Sequence, residues 1–534
     1  MGIVKQSRGE RGIPSPLTWA AGVASVALGA GLADLIAAPW APGAGPFVVI
    51  GGALIDLAPS WAKDTAIALF GTADKIALLV GIGLVVLVLA ATAGWLQARR
   101  PPWGLVVVAA FGAIGGVVAM TRPDAGPLWW LPSVLAGAIG AVTLWWLIRM
   151  LRPAPALTPL PATSSADQAV FGPPVEQPAP SRRAFLVWSG AATAAGILAA
   201  VAAGAIRAGS SAVAAIRDVV LPAPRVAAPP VPASAELGIP GLAPVITPND
   251  SFYRIDTALI VPTVDPTSWR LRIHGMVEEE VELTWDELLA LPLEESRTTL
   301  ACVSNEVGGT LIGTALWLGY PIRELLARAR PTAEADMVLS RSVDGFTAST
   351  PLEALTDDRE SILAVGMNGV PLPLEHGFPV RMVVPGLYGY VSATKWVVDL
   401  EVTRFDRARA YWTDRGWSER GPIKLQSRID VPRKAQGLKS GDTVIAGVAW
   451  QQQVGVAGVE VQIDDGPWQQ AELATAISDD TWVQWSLPWK ATAGDHLLRC
   501  RATSKAGEVQ TEDRAHPAPD GATGWHERFL TVFD

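Results

Sequence analysis

Five stretches of this chain are apolar over a length that matches the hydrocarbon core of a bilayer, which takes about 20 residues of helix. They run Leu17–Ala38, Ile76–Leu96, Trp103–Met120, Leu128–Ile148 and Ala184–Ile206. Lipid offers no partner to a free backbone N–H or C=O, so such stretches are expected as helices that satisfy their own hydrogen bonds. A four-span region over residues 1–150 is predicted, with a fifth span over 183–206. The apolar run Pro46–Ala58 is too short to cross comfortably and carries Asp56, which predicts an interfacial or re-entrant piece.

Basic residues set the expected orientation. Lys5, Arg8 and Arg11 precede the first span, Arg99 and Arg100 separate the second and third, and Arg149, Arg152, Arg182 and Arg183 lie between the fourth and fifth. The alternate loops carry fewer: Lys63 and Lys75 in one, Arg122 in the other. This alternation predicts a multi-pass protein of the cell membrane, N-terminus inside and everything after Ile206 on the extracytoplasmic side. The fifth span opens with Ser181-Arg182-Arg183-Ala184-Phe185-Leu186, which resembles a twin-arginine export signal. Two stretches rich in Pro and Ala, within 151–182 and 207–244, read as extended linkers on either side of that span.

The rest of the composition removes several functions. A formal net charge of −9 argues against a nucleic-acid partner. All five histidines (His274, His376, His496, His516, His526) lie in the second half, so the predicted spans hold no histidine pair for a haem. Two distant cysteines, Cys302 and Cys500, make no disulfide framework.

Beyond residue 244 the pattern becomes that of a globular protein. Short β-rich runs such as Trp269–His274, Arg381–Val384 and Lys395–Leu400 alternate with short amphipathic helices at Trp285–Leu291 and Ile322–Ala329, an α+β arrangement. Five blocks stand out in order: Asn249-Asp-Ser-Phe-Tyr253-Arg254; Thr299-Leu-Ala-Cys302-Val-Ser-Asn305; Ser342-Val-Asp344-Gly; Met367 to Arg381 with His376 inside it; and Val384-Pro-Gly386-Leu-Tyr-Gly389 followed by Ala393-Thr394-Lys395-Trp396. Together they resemble the sulfite oxidase family of molybdopterin-dependent oxidoreductases, in its membrane-anchored bacterial form.

The resemblance implies a catalytic domain over 245–422 and a bound molybdopterin with its molybdenum. Cys302 would be the metal ligand. Asn249, Tyr253, Arg254, Asp344, His376, Arg381, Ala393, Thr394 and Lys395 would contact the cofactor, and Arg254 would also face a substrate oxyanion. These residue types suit that chemistry. A thiolate is a soft donor for a redox metal, an Arg fork matches phosphate oxygens, and a Lys supplies a point charge. Gly386 and Gly389 are expected to let backbone approach the cofactor. Short strands between Gly and Asp turns over 423–534 predict an all-β unit, which resembles the family's immunoglobulin-like dimerisation domain. Cys500 there alternates with Leu498 and reads as a core thiol.

Two departures bear on the substrate. Trp417 stands nearest to the place of a tyrosine that sulfite-oxidising members carry, and Glu306 and Val307 stand where those members have basic residues. The expected activity is oxygen-atom transfer on a small molecule, with electrons exchanged with a separate partner. Two alternatives are a reductase of S-oxides or N-oxides, methionine sulfoxide included, and a cofactor-free binding module tethered to the membrane.

Overall fold

The computed structural model describes residues 14–57, 59, 65, 74–122, 125–152, 182–208, 216, 219–433 and 437–534. The arginine-rich N-terminus, Lys63 and the linker between 153 and 181 lie outside them. The chain divides into two units, Met1–Ser210 and Ser211–Asp534.

The first unit is helical: α1 (Ser15–Ala37), α2 (Pro46–Leu57), α3 (Asp74–Arg99), α4 (Trp103–Met120), α5 (Trp130–Leu151) and α6 (Arg182–Ala208). Five of these are long and apolar enough to cross a membrane, and α2, with 12 residues, is not. Helix α1 lies centrally because its small residues admit neighbouring backbones. A Cβ placed on Gly22 would collide with Ala90 of α3, one on Gly29 with Ala136 of α5, and one on Gly31 with Gly196 of α6. Close approach through small residues is how helices associate without a hydrophobic drive. Near the shared ends of α1 and α6, Arg207 donates to both carboxylate oxygens of Asp34, at 3.1 and 3.0 Å.

The second unit holds strands β1 (Arg270–Gly275), β2 (Val281–Thr284), β3 (Glu294–Ala301), β4 (Ile312–Pro321), β5 (Met337–Ser342), β6 (Thr347–Pro351), β7 (Ile362–Met367), β8 (Val370–Pro371), β9 (Arg381–Val383) and β10 (Val397–Thr403). They form a sheet of order β2-β1-β10-β5-β6, mixed because β1 and β10 run parallel, and an antiparallel sheet β3-β4-β7-β8 with β9 paired to β7. Short helices cap them. At Trp285–Ala290 the cap is a reciprocal box between Thr284 and Glu287. The core joins both sheets through Trp269, Leu271, Leu325, Val338, Leu363 and Met382, all at most 2% exposed.

The remaining strands are β11 (Gln426–Val431), β12 (Gly441–Trp450), β13 (Val456–Ile463), β14 (Gln469–Gln470), β15 (Glu472–Leu473), β16 (Val483–Ala491), β17 (Gly494–Ser504) and β18 (His526–Val532). Two antiparallel sheets, β11-β12-β16-β15 and β14-β13-β17-β18, pack face to face around Ile429, Ile445, Val461, Trp485 and Leu498. Cys500 lies in that core with no exposure, as expected.

The stretch read as an extended linker before residue 245 is docked onto the second unit over its described part. Arg225 N–H donates to the Leu293 carbonyl at 2.7 Å and Glu295 N–H to the Val226 carbonyl at 2.9 Å, so the segment pairs with the free edge of β3. It then reaches the C-terminal sheets, where Leu237 N–H meets Gln484 at 2.7 Å and Ala243 N–H meets Asp430 at 3.0 Å.

Candidate functional site

Strand β3 ends at Ala301 and delivers Cys302 into the interior, where it is 8% exposed and free of any disulfide. The following loop is fixed at several points. Cys302 N–H donates to the Leu311 carbonyl (2.9 Å), and the Asn305 side chain accepts from Leu311 N–H (2.8 Å). The C-terminal sheets hold the same region: Arg428 donates to the Gly309 carbonyl (2.8 Å), and Gln452 to the Thr299 carbonyl (2.8 Å). Burial pushes the Cys302 thiol pKa up, against hydrogen bonds from Ser304 and the charge of Lys395, which pull it down.

Arg381 and Lys395 are brought together by Gly377. Its φ is +112°, and a Cβ there would sit 3.0 Å from Arg381 Cβ and 3.1 Å from Lys395 Cβ, so only glycine lets the turn after His376 pass between them. Arg381 is 5% exposed. It donates to the carbonyls of His376 (3.1 Å) and Met382 (3.3 Å) and lies 5.0 Å over the Trp317 ring. Among the described residues no carboxylate pairs with it, and burial lowers its pKa to about 10. Lys395 is also buried. Its Nζ donates to Asp256 Oδ2 (2.6 Å) and the Glu375 carbonyl (2.9 Å), and burial takes it down to about 8 against the pull of Asp256. His376 bonds the Asn249 carbonyl through Nε2 (3.0 Å), and burial holds it at about 4, hence neutral.

Tyr253 and Tyr388 border the thiol. Burial raises both phenols, Tyr388 to about 12, and the charge of Cys302 adds to each shift. They therefore keep their protons at neutral pH.

The other predicted residues are committed to the scaffold in different degrees. The Asn249 amide is taken up by Asn368 (2.7 Å) and the Met367 carbonyl (3.3 Å), so its backbone rather than its side chain faces His376. Asp344 closes the β5–β6 turn with Ser342 and Phe346 N–H, and that turn meets Trp396 through Val343 N–H (3.0 Å). Thr394 is buried and bonds Ser340 (2.7 Å), while Ala393 N–H bonds the Gly389 carbonyl (3.0 Å). Arg254, expected to face an oxyanion, bonds Asp256 through Nε at 2.9 Å. At Gly389 a Cβ would meet Ala393 and Ala301 at 3.5 and 3.8 Å, ordinary contact, whereas at Gly386 (φ +81°) it would meet Gln453 at 2.7 Å. Trp417 is buried between Tyr390 and Trp412, each ring 5.9 Å away.

Asp256 and Ser304 were not singled out by sequence. Asp256 follows Arg254 by two positions, the spacing at which an extended chain puts side chains on one face, and that was the available signal. Ser304 carries none.

The gathered groups suit an anionic, metal-bearing ligand. A buried guanidinium without a carboxylate costs stability unless an anion completes it, and a phosphate does so through the planar fork. Cys302 offers one soft sulfur. Among the described residues no three His, Cys, Asp or Glu side chains converge, so a metal here needs further donors from the molecule that brings it. The pterin's sulfurs and phosphate fit those requirements.

Residues 258–412 match the family described as "Oxidoreductase molybdopterin binding domain". Mitochondrial sulfite oxidase of Homo sapiens is 31% identical over 316 residues, covering 50% of this chain and 57% of its own length. The chain thus spans little more than half of the sulfite oxidases it matches. YuiH of Bacillus subtilis, an uncharacterised oxidoreductase, is 32% identical over 171 residues, covering 32% of this chain and 83% of that protein. The sulfane dehydrogenase SoxCD from Paracoccus pantotrophus aligns with a TM-score of 0.47 at 24% identity, covering 54% of this chain and 81% of that one.

Proposed function

Because this chain belongs to the sulfite oxidase family of molybdopterin oxidoreductases, we propose that it is a membrane-anchored enzyme of oxygen-atom transfer on a small substrate. The observation that carries this reading is the meeting of a buried, carboxylate-free Arg381 with Lys395 behind a buried, unpaired Cys302. Bound molybdopterin supplies the two-electron oxo chemistry. Arg381 and Lys395 would hold its phosphate, and Cys302 would give the metal its protein sulfur. Hydrogen bonds from Ser304 and the charge of Lys395 support the thiolate once its proton has left. Tyr253 and Tyr388, their phenols protonated at neutral pH and within reach of the Cys302 charge, would serve as proton donors there.

The same site serves either direction. Sulfite plus water gives sulfate, two protons and two electrons; an S-oxide plus two protons and two electrons gives the thioether and water. Metal analysis of the purified protein tests the cofactor, and absence of molybdenum sinks the reading. Turnover of sulfite with an acceptor, or of sulfoxides with a reduced dye, then fixes the direction.

Electrons pass to a separate carrier in this proposal. Three histidines of the second unit are engaged with the protein: His274 with Asp399 (2.9 Å), His496 with Asp464 (2.9 Å) and His526 with Ile429 N–H (2.9 Å). The five apolar helices anchor the protein in the cell membrane, and the basic residues put the catalytic unit outside. The arginine pair at the head of α6 directs export of the folded, loaded domain. With both arginines changed to lysine, a motif-reading translocase rejects the chain, and the domain becomes protease-protected in spheroplasts. Cleavage as fast as in wild type would show that the pair is only charge. The C-terminal two-sheet sandwich, immunoglobulin-like in this reading, forms a homodimer. Edge strand β18 offers Phe529 at 53% exposure, with Phe533 just beyond it at 56%.

A further inference from the structure

Asp256 is a carboxylate set among three cationic side chains, Arg254, Arg381 and Lys395. One oxygen, Oδ2, accepts from both Lys395 Nζ at 2.6 Å and Arg254 Nε at 2.9 Å, and Oδ1 takes Arg254 Nη2 at 3.4 Å. Asp256 and Lys395 side chains are 5% and 9% exposed, and Arg254 is 33% exposed. Arg254 is therefore the most exposed of the three. Its fork is already occupied from behind.

The charges can be counted. Arg254, Lys395 and Arg381 bring three positive charges, and Asp256 cancels one. His376, held neutral by burial, brings none. Glu375, whose charge is felt at His376, only moves the balance further toward negative. A phosphate monoester carries about −1.5 to −2 at neutral pH. With that phosphate in place, at most about half a positive charge is left over for a second anion. Without Asp256 there would be one more, on an arginine with free N–H donors facing solvent.

We propose that Asp256 sets the charge of the substrate: by holding Arg254 in an internal ion pair, it makes the site select an uncharged oxo compound, an S-oxide or N-oxide, over an oxyanion such as sulfite. This rests on the site being the pterin site. A free guanidinium pairs bidentately with an oxyanion, whereas one already paired to a buried carboxylate must give up that bond first. A neutral S=O or N–O group needs only a single donor, which an engaged arginine still supplies.

The test uses inorganic sulfate, a dianion that does not turn over, titrated into detergent-solubilised full-length protein of measured molybdenum content. Affinity is read from the rise of Tm at constant ionic strength. Sulfate is expected to bind wild type weakly. Asp256→Asn should tighten it about tenfold or more, the size of one charge-assisted hydrogen bond. The gain should vanish in Asp256→Asn combined with Arg254→Ala. Arg254→Ala alone should cost less than about twofold, because that fork is not available to sulfate in wild type. Unchanged affinity in Asp256→Asn, or a tenfold loss in Arg254→Ala alone, overturns the proposal. Arg254→Ala decides by itself if Asp256→Asn does not fold, since Arg254 is the more exposed partner. Molybdenum-free wild type overturns the pterin reading and this one with it. Molybdenum present, with sulfate affinity unmoved by Asp256→Asn, overturns the charge assignment alone.

Discussion

Arg381 has only two carbonyls and the face of Trp317 as partners among the described residues, and burial draws its pKa down to about 10. In the proposed function that charge is completed by the cofactor's phosphate. Arg381→Met should therefore stabilise the cofactor-free protein, by about 1–3 kcal/mol, while molybdenum content falls because the phosphate loses its fork. A higher Tm together with full metal content would contradict this. The cysteines separate in the same way. Cys302→Ser should keep the fold and lose turnover, since an alcohol is a harder donor than a thiolate. Cys500→Ser, in a core where Ser427 already donates to the sulfur at 3.3 Å, should cost about 1 kcal/mol or less and leave metal content unchanged. The ordered blocks of the family resemblance named Cys302, His376, Arg381 and Lys395 as candidates, and all four side chains are buried. Sequence could not show that Asn249 and Thr394 spend their side chains on Asn368 and Ser340, because nothing local says which partner a polar group will find.

At the scale of elements, the segment from Val219 to Pro232 shows where composition misleads. Its prolines and alanines read as a spacer, yet it lies along β3, the strand that leads into Cys302. Proline is tolerated on an edge, where its missing N–H faces away from the ladder, so a proline-rich strap and a free linker look alike in sequence. Two side chains of β3 hold it: Glu295 accepts from Ala228 N–H at 3.0 Å, and Arg297 donates to the Pro229 carbonyl. Glu295→Ala should loosen the strap by about 1–2 kcal/mol. Limited proteolysis should then cut within 219–232 sooner, with the core fragment intact. Unchanged cleavage would mean that the backbone pairing holds it alone. The long helices were read to within a few residues, since apolar runs of that length admit few other structures, and α8 (Ile322–Ala329), like α7 (Trp285–Ala290) before it, followed from its amphipathic period.

For the molecule as a whole, acid is the weak side. His376 and His526 are both held near 4 by burial, against 6.5 when free. Above about 6.5 both are neutral folded or unfolded, and their contribution is fully present. As pH falls from 6.5 the unfolded chain binds protons that the folded one refuses, so stability drains away until about 4 and then levels off. The loss is at most on the order of 3 kcal/mol for each histidine. The melting temperature of the second unit should fall across that window, and His526→Gln should flatten part of the fall; a flat profile between 6.5 and 4 would refute it. The helical unit carries a different consequence. A leader sequence is discarded after use, and nothing in the finished protein depends on it. Here the helix headed by Arg182 and Arg183 ends in Arg207, whose guanidinium closes on Asp34 of α1, and midway its Gly196 fills the notch at Gly31. Removing it would leave a carboxylate uncovered and a groove open along the central helix. If the arginine pair is the proposed export signal, the helix it heads is also a structural member of the bundle.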